Sequence, residues 1–207
     1  MRGLNESMQT DPDFEFVRRC QTESGAARDD AFRKLFENYQ DRVFNLAVRL
    51  LGNQADAADV SQEAFITVFR KIHEFRFSSR FYTWLYRVVY NLCMDQRRRA
   101  PGGPLPASAN ESADSVLARI PDPAPTPSEQ VSEGESRTRA VENALRRLSE
   151  PLRVAIVLRY MEDLRYDEIA DVLGCSVGTV KSRLSRAHQF LQELLRPTED
   201  RPDRTPK

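Results

Sequence analysis

What the chain lacks narrows the field first. Its three cysteines, Cys20, Cys93 and Cys175, are far apart and odd in number, with no C-x-x-C pair. That spacing fits neither a disulfide framework nor a zinc site, and the two histidines, His73 and His188, lie near none of them. No apolar run approaches the ~18 residues of a membrane span, and the polar N-terminus has no signal-peptide core, so a cytoplasmic chain without membrane insertion is expected. No Gly-rich phosphate loop, no carboxylate cluster at metal spacing and no Ser/His/Asp set is present. The expectation is therefore a protein that is not an enzyme and needs no metal or cofactor. Lysine is scarce as well, 4 against 27 arginines. Arginine suits bidentate contact with phosphates and bases, although Arg-rich codon usage accounts for the bias equally well.

What is present divides the 207 residues into segments. Residues 1–29 read as a polar leader with a short helix around Phe14–Cys20. Residues 30–99 and 138–195 show helical periodicity, and 196–207 are a polar tail. Between the two helical segments, 100–137 holds seven of the twelve prolines, a composition that cannot bury a core and favours an extended linker. Net charge is zero overall, but Lys and Arg outnumber Asp and Glu 12 to 8 over 30–99 and 10 to 8 over 139–196, and fall short 2 to 6 over 100–138. Two basic domains joined by an acidic tether are implied. With no alternating strand pattern and no internal repeat, the fold class is all-α: two small helical domains and an extended Pro-rich linker.

In the C-terminal domain, Val141, Leu145 and Leu148 mark one helix. Ser149 and Pro151 open a second, whose run 154–158 (VAIVL) is apolar nearly all round and so buried. A third helix starts at Tyr166, after Arg165 as a poor N-cap worth about 1 kcal/mol less than Ser. Asp167 and Glu168 in its first turn suit the helix dipole, and Ile169, Ala170 and Leu173 point inward. Gly174 can end that helix in the left-handed conformation and Ser176 can cap the next. There Val177, Val180, Leu184, Ala187, Leu191 and Leu194 form one apolar stripe. Lys181, Ser182, Ser185, Arg186 and Gln189 take the opposite face, with Arg183 on its flank. This is the layout of a helix-turn-helix, whose second helix enters the DNA major groove; the plainer reading is a solvated face of a helical bundle.

In the N-terminal domain, Phe32, Leu35, Phe36, Tyr39, Val43, Leu46, Ala47 and Leu50 mark a long helix closed by Gly52. A second helix from Gln54 to about Ile72 turns Ala57, Val60, Ala64, Val68 and Ile72 inward. Its outward Asp56, Asp59, Gln62 and Glu63 either suit the dipole or offer a docking face to a basic helix. The stretch 73–99 mixes seven aromatics (Phe75, Phe77, Phe81, Tyr82, Trp84, Tyr86 and Tyr90) with arginines. If Phe81, Leu85, Val88 and Leu92 supply the core stripe, the remaining rings are free to stack on unpaired bases, worth about 1–3 kcal/mol per base. An aromatic-rich core helix is the plainer alternative.

Three motifs occur in order: DAADVSQE (56–63), TWLYR (83–87) and GTVKSRL (178–184). The segments that hold them resemble regions 2 and 4 of bacterial extracytoplasmic-function (ECF) sigma factors of the sigma-70 family. The resemblance implies a promoter-specificity subunit of RNA polymerase; the rival is a stand-alone helix-turn-helix regulator. It implies docking of Asp56, Asp59, Gln62 and Glu63 on the β′ clamp helices, with the β flap as a further polymerase contact. Phe75, Arg76, Phe77, Ser78, Ser79 and Arg80, with Tyr82, Trp84 and Arg87, would capture the unpaired −10 strand. Thr179, Lys181, Ser182, Arg183, Ser185 and Arg186 would read the duplex −35 element, with Arg159, Tyr166 and Asp167 on its backbone. An anti-sigma factor is a further candidate partner, and the acidic linker would thread the polymerase channel. Phe77 stands where the family commonly has Gly, and Ser185 and His188 replace bulkier or more basic residues.

Overall fold

A computed structural model describes residues 11–99, 141 and 143–195. The linker expected over 100–137 and the tail over 196–207 lie outside the described residues. Among the described residues all regular structure is helical, in keeping with the all-α reading.

The N-terminal bundle comprises α1 (Phe14–Thr22), α2 (Gly25–Leu51), α3 (Gln54–Lys71), a 3-10 turn (Ile72–Glu74) and α4 (Phe81–Arg99). In α2 the buried residues Ala31, Leu35, Tyr39, Val43, Leu46, Ala47 and Leu50 recur at helical spacing and form one stripe. Gly52, at φ 74°, ends the helix, its N–H donating to the Val48 carbonyl; glycine takes this left-handed turn without a Cβ penalty. Asn53 then caps α3, its Oδ1 accepting the Ala55 N–H at 2.8 Å. The expected inner face of α3 is the observed one: Ala57, Val60, Ala64, Val68 and Ile72 are all buried. Truncating a core leucine such as Leu35 to alanine would cost about 2–5 kcal/mol.

Two features differ from the sequence expectation. From Asp11 onward the segment read as a leader over 1–29 is part of this bundle: Val17 and Cys20 are buried, and α1 packs on α2. Its polarity masked this because so short a helix needs only a few inward side chains to be held. The core stripe of α4 is also rotated. Phe81, Leu85, Tyr86, Val89 and Cys93 are buried, while Val88 and Leu92 are half-buried. The cause is that α4 is packed on two sides, by α3 and by α6 of the C-terminal domain (α6, Tyr166–Leu173).

The C-terminal domain continues from helical turns at 143–147 through α5 (Glu150–Tyr160) and α6 to α7 (Val177–Leu195). Val154–Leu158 are buried throughout. The weak N-cap at Arg165 is relieved by Glu168, whose Oε2 accepts the Arg165 N–H at 2.8 Å. On α6, Val172 rather than Leu173 completes the buried face with Ile169 and Ala170. Gly174 (φ 61°) ends α6, and Ser176 Oγ accepts the Thr179 N–H at 3.1 Å to start α7. Val180, Leu184 and Ala187 are buried; Val177, in the first turn, projects past the core and is exposed.

Candidate nucleic-acid interface

The fold sets α7 with its apolar stripe against α5 and α6 and its polar face outward. Lys181, Ser182, Ser185 and Arg186 are all exposed, and neither cation pairs with a carboxylate among the described residues. Thr179 and Arg183 are half-buried, the first within the helix cap and the second with Nη1 3.9 Å from Cys175 Sγ. Arg159 Nη1 donates to Asp163 Oδ1 (3.2 Å) and to the Leu164 carbonyl (3.1 Å). Its guanidinium so held lies 5.8 Å from the Tyr166 ring centre. Tyr166 and Asp167 are exposed at the start of α6. A rigid, solvent-facing cationic helix with short hydroxyl side chains is what base-edge reading in a major groove requires.

The loop between the 3-10 turn and α4 is built differently. The rings expected to stand free are packed instead: Phe75 and Tyr86 are buried, as Phe81 is, and Phe77, Tyr82, Trp84 and Tyr90 are half-buried. Phe75 lies 5.0 Å from Phe77 and 5.1 Å from Trp84, centre to centre. Phe77 adopts φ 55°, a left-handed conformation that costs a residue with a Cβ about 1–2 kcal/mol. A glycine would sit there freely. Arg76 and Ser78 are exposed, while Ser79 and Arg80 are half-buried.

The C-terminal domain covers part of this surface with carboxylates. Tyr82 donates its hydroxyl to Glu168 Oε1. Burial, followed by that bond, pushes the Tyr82 hydroxyl up to about 12. Arg80 Nε stands 3.9 Å from the same carboxylate. Tyr86 donates to Glu162 Oε2 at 2.6 Å, and Arg42 Nε donates to that oxygen at 3.1 Å. Arg87, exposed on its outer side, donates to the Asp171 carbonyl at 2.8 Å. Arg97 and Glu150 pair at 2.7 Å. A cavity of about 220 Å³ remains between the loop and α6. Thr83 lines it with its buried hydroxyl unpartnered among the described residues. Sequence reasoning missed Glu162, and it read Glu168 only as a dipole partner. Their one local signal is a carboxylate set next to buried apolar residues.

On α3, Asp59, Gln62 and Glu63 share the exposed face. Asp56 is half-buried, its Oδ1 accepting from Gln96 Nε2 at 3.0 Å.

A two-domain, all-helical arrangement with a helix-turn-helix at one end defines a class of DNA-binding transcription protein, and comparison with known proteins makes the class specific. Residues 35–101 match the family model of Sigma-70 region 2, and residues 138–191 match that of Sigma-70, region 4. The chain is 37% identical over 171 residues to the ECF RNA polymerase sigma-E factor of Haemophilus influenzae, covering 81% of this chain and 88% of that protein. It is 34% identical over 169 residues to the ECF sigma factor SigW of Bacillus subtilis, covering 81% and 90%. Among solved structures, RpoE of Bartonella quintana, in complex with the anti-sigma factor NepR, aligns at TM-score 0.61 and 28% identity, over 81% of this chain and 98% of that one. CnrH, in complex with the cytosolic domain of CnrY, shares the fold at TM-score 0.63 and 21% identity, over 88% and 96%. The chain belongs to the ECF sigma factors of the sigma-70 family, RNA polymerase subunits that direct promoter-specific initiation.

Proposed function

We propose that α7 reads the duplex −35 element while the 75–80 loop and the start of α4 take the unpaired −10 strand. The observation that carries this reading is the exposed pair Lys181 and Arg186, without a carboxylate partner among the described residues, beside Ser182 and Ser185 on a capped helix. Thr179, Arg183, Arg159, Tyr166 and Asp167 border that surface and supply phosphate or backbone contacts. Arg76, Phe77, Ser78, Ser79 and Arg80 form the strand-facing edge, with Tyr82, Trp84 and Arg87 following. Phe75 supports them from within the ring cluster. Asp59, Gln62 and Glu63 dock on a basic partner helix of core polymerase, with Asp56 braced by Gln96. Partners of this chain are accordingly core RNA polymerase and promoter DNA, and an anti-sigma factor of the kind bound by the Bartonella relative. The protein does no catalysis of its own; it selects the site at which polymerase starts.

Use of both faces at once requires α6 to leave α4, because Tyr82 and Arg87 are engaged by Glu168 and Asp171. The test is transcription in vitro from a randomised promoter library by core polymerase loaded with this chain. Enrichment of a −35 and a −10 motif, with the −35 motif altered by Arg186→Ala, is the expected result. Duplex binding without core polymerase and no new start sites would favour the stand-alone regulator.

A further inference from the structure

The loop assigned above to the unpaired strand is held from outside by residues that precede the family-matched segment, which begins at residue 35. Three side chains from the start of the chain reach it. Asp11, buried, places Oδ2 2.9 Å from the N–H of Phe81, the first residue of α4. It thereby caps that helix across 70 residues of sequence, in a first turn that has no acidic residue of its own. Its other oxygen accepts the Asp13 N–H at 3.1 Å, so the cap is itself oriented. Phe14 sets its ring 5.0 Å from Phe77, the residue in the left-handed conformation. Gln21 Nε2 donates to the carbonyls of Ile72 (2.8 Å) and Phe75 (2.7 Å), at the other end of the loop. The base of this clamp is anchored in the bundle: Asp13 accepts the Tyr39 hydroxyl, and Val17 is fully buried.

We infer that Asp11, Phe14 and Gln21 are positioning residues that set the shape of the 75–80 loop and thereby which −10 bases it accepts. The inference rests on the assignment of that loop to the −10 strand. Its physical basis is the strain at Phe77. A phenylalanine held at positive φ returns to ordinary backbone geometry once its ring loses support. Such a change redirects Ser78, Ser79 and Arg80, whose place against a flipped or unstacked base must hold to about 0.5 Å to discriminate. The cap on Phe81 acts at the other junction, fixing where α4 begins and how Tyr82 and Trp84 are presented.

The experiment compares the full chain with Asp11→Ala, Asp11→Asn, Phe14→Ala and Phe14→Leu, each loaded on core polymerase and supplied with the randomised promoter library. Asn keeps an acceptor for the Phe81 N–H; Leu keeps α1 packed without the aromatic face. Asp11→Ala and both Phe14 variants are expected to flatten the −10 base preference and to weaken capture of a −10 single strand about tenfold, one base stack's worth. The −35 preference and polymerase binding should stay at the parent level, and Asp11→Asn should recover most of the −10 preference. An unchanged −10 preference in Asp11→Ala and Phe14→Leu overturns the inference. So does a parallel loss at both elements that tracks melting temperature, the mark of a merely structural role. Arg80→Ala and Ser79→Ala separate this from the underlying assignment. If they too leave −10 preference unchanged, the strand assignment itself fails; if they alter it and the brace variants do not, only the brace fails.

Discussion

The polar face of α7 lies open to water, whereas the 75–80 loop keeps most of its side chains at least half under cover. On α7, Lys181 and Arg186 pair with no carboxylate among the described residues and the hydroxyls are short, on a helix whose first turn is capped by Ser176. At the loop, rings pack on rings, and Tyr82 and Arg80 face the carboxylate of Glu168. The contrast suits the two substrates proposed for these surfaces. A duplex presents fixed edges, which a stiff polar surface can read without rearrangement. An unpaired strand is held by stacking, and rings exposed before the strand arrives would form an apolar patch prone to unwanted association. Storing them against each other and against a second domain avoids that state.

The contrast can be tested in descending order of effect. Asp59→Arg combined with Glu63→Arg should abolish co-purification with core polymerase while circular dichroism stays unchanged, which would deny both faces their promoter. Retention of polymerase would place the docking surface elsewhere. Glu162→Ala comes next. It leaves the buried Tyr86 hydroxyl without its acceptor, a destabilisation of about 1–3 kcal/mol in urea unfolding, with greater hydrogen exchange along α4 and none added along α7. Lys181→Ala and Arg186→Ala should each lower the log–log salt dependence of promoter binding, by about 0.9 for every phosphate that is no longer neutralised. Stability should stay within about 0.5 kcal/mol of the parent, since neither side chain is buried.

The smallest effect is on the alkaline side. Tyr82 is raised from 10.0 to about 12, with burial the first cause and the Glu168 bond the second. Burial also raises the Cys93 thiol from 9.0 to about 12. In each case the folded state holds its proton more tightly than the unfolded chain. The associated stability is therefore complete below the unfolded value and is lost as pH climbs through the folded one. Melting temperature should fall between about pH 9 and 12, and Tyr82→Phe should make that fall shallower. An identical slope in the variant would show that Tyr82 carries none of that loss.

Local patterns in the sequence were enough for the inner face of α3, the helix ends at Gly52 and Gly174, the cap at Ser176, and the outward polar face of α7. Each depends on residues within a turn or two of one another. The packing of α1, the rotated stripe of α4 and the carboxylates at Glu162 and Glu168 were not legible. They depend on contacts between separate helices, several of them 70 or more residues apart, as in Asp11 to Phe81, Tyr86 to Glu162 and Tyr82 to Glu168. Polar residues that bury their heads against a distant element look in sequence like ordinary surface residues. For the candidate site, residue types and spacing gave no sign that one domain's acids lie on the other's rings.

The single tryptophan of the chain, Trp84, stands with its ring centre 5.1 Å from Phe75 and 6.1 Å from Phe81, at the root of the 75–80 loop. Its indole emission is thus a built-in optical reporter. A shift in intensity or wavelength on adding a −10 oligonucleotide, free of any competing indole signal from elsewhere in the chain, would time the rearrangement of the loop without an attached dye.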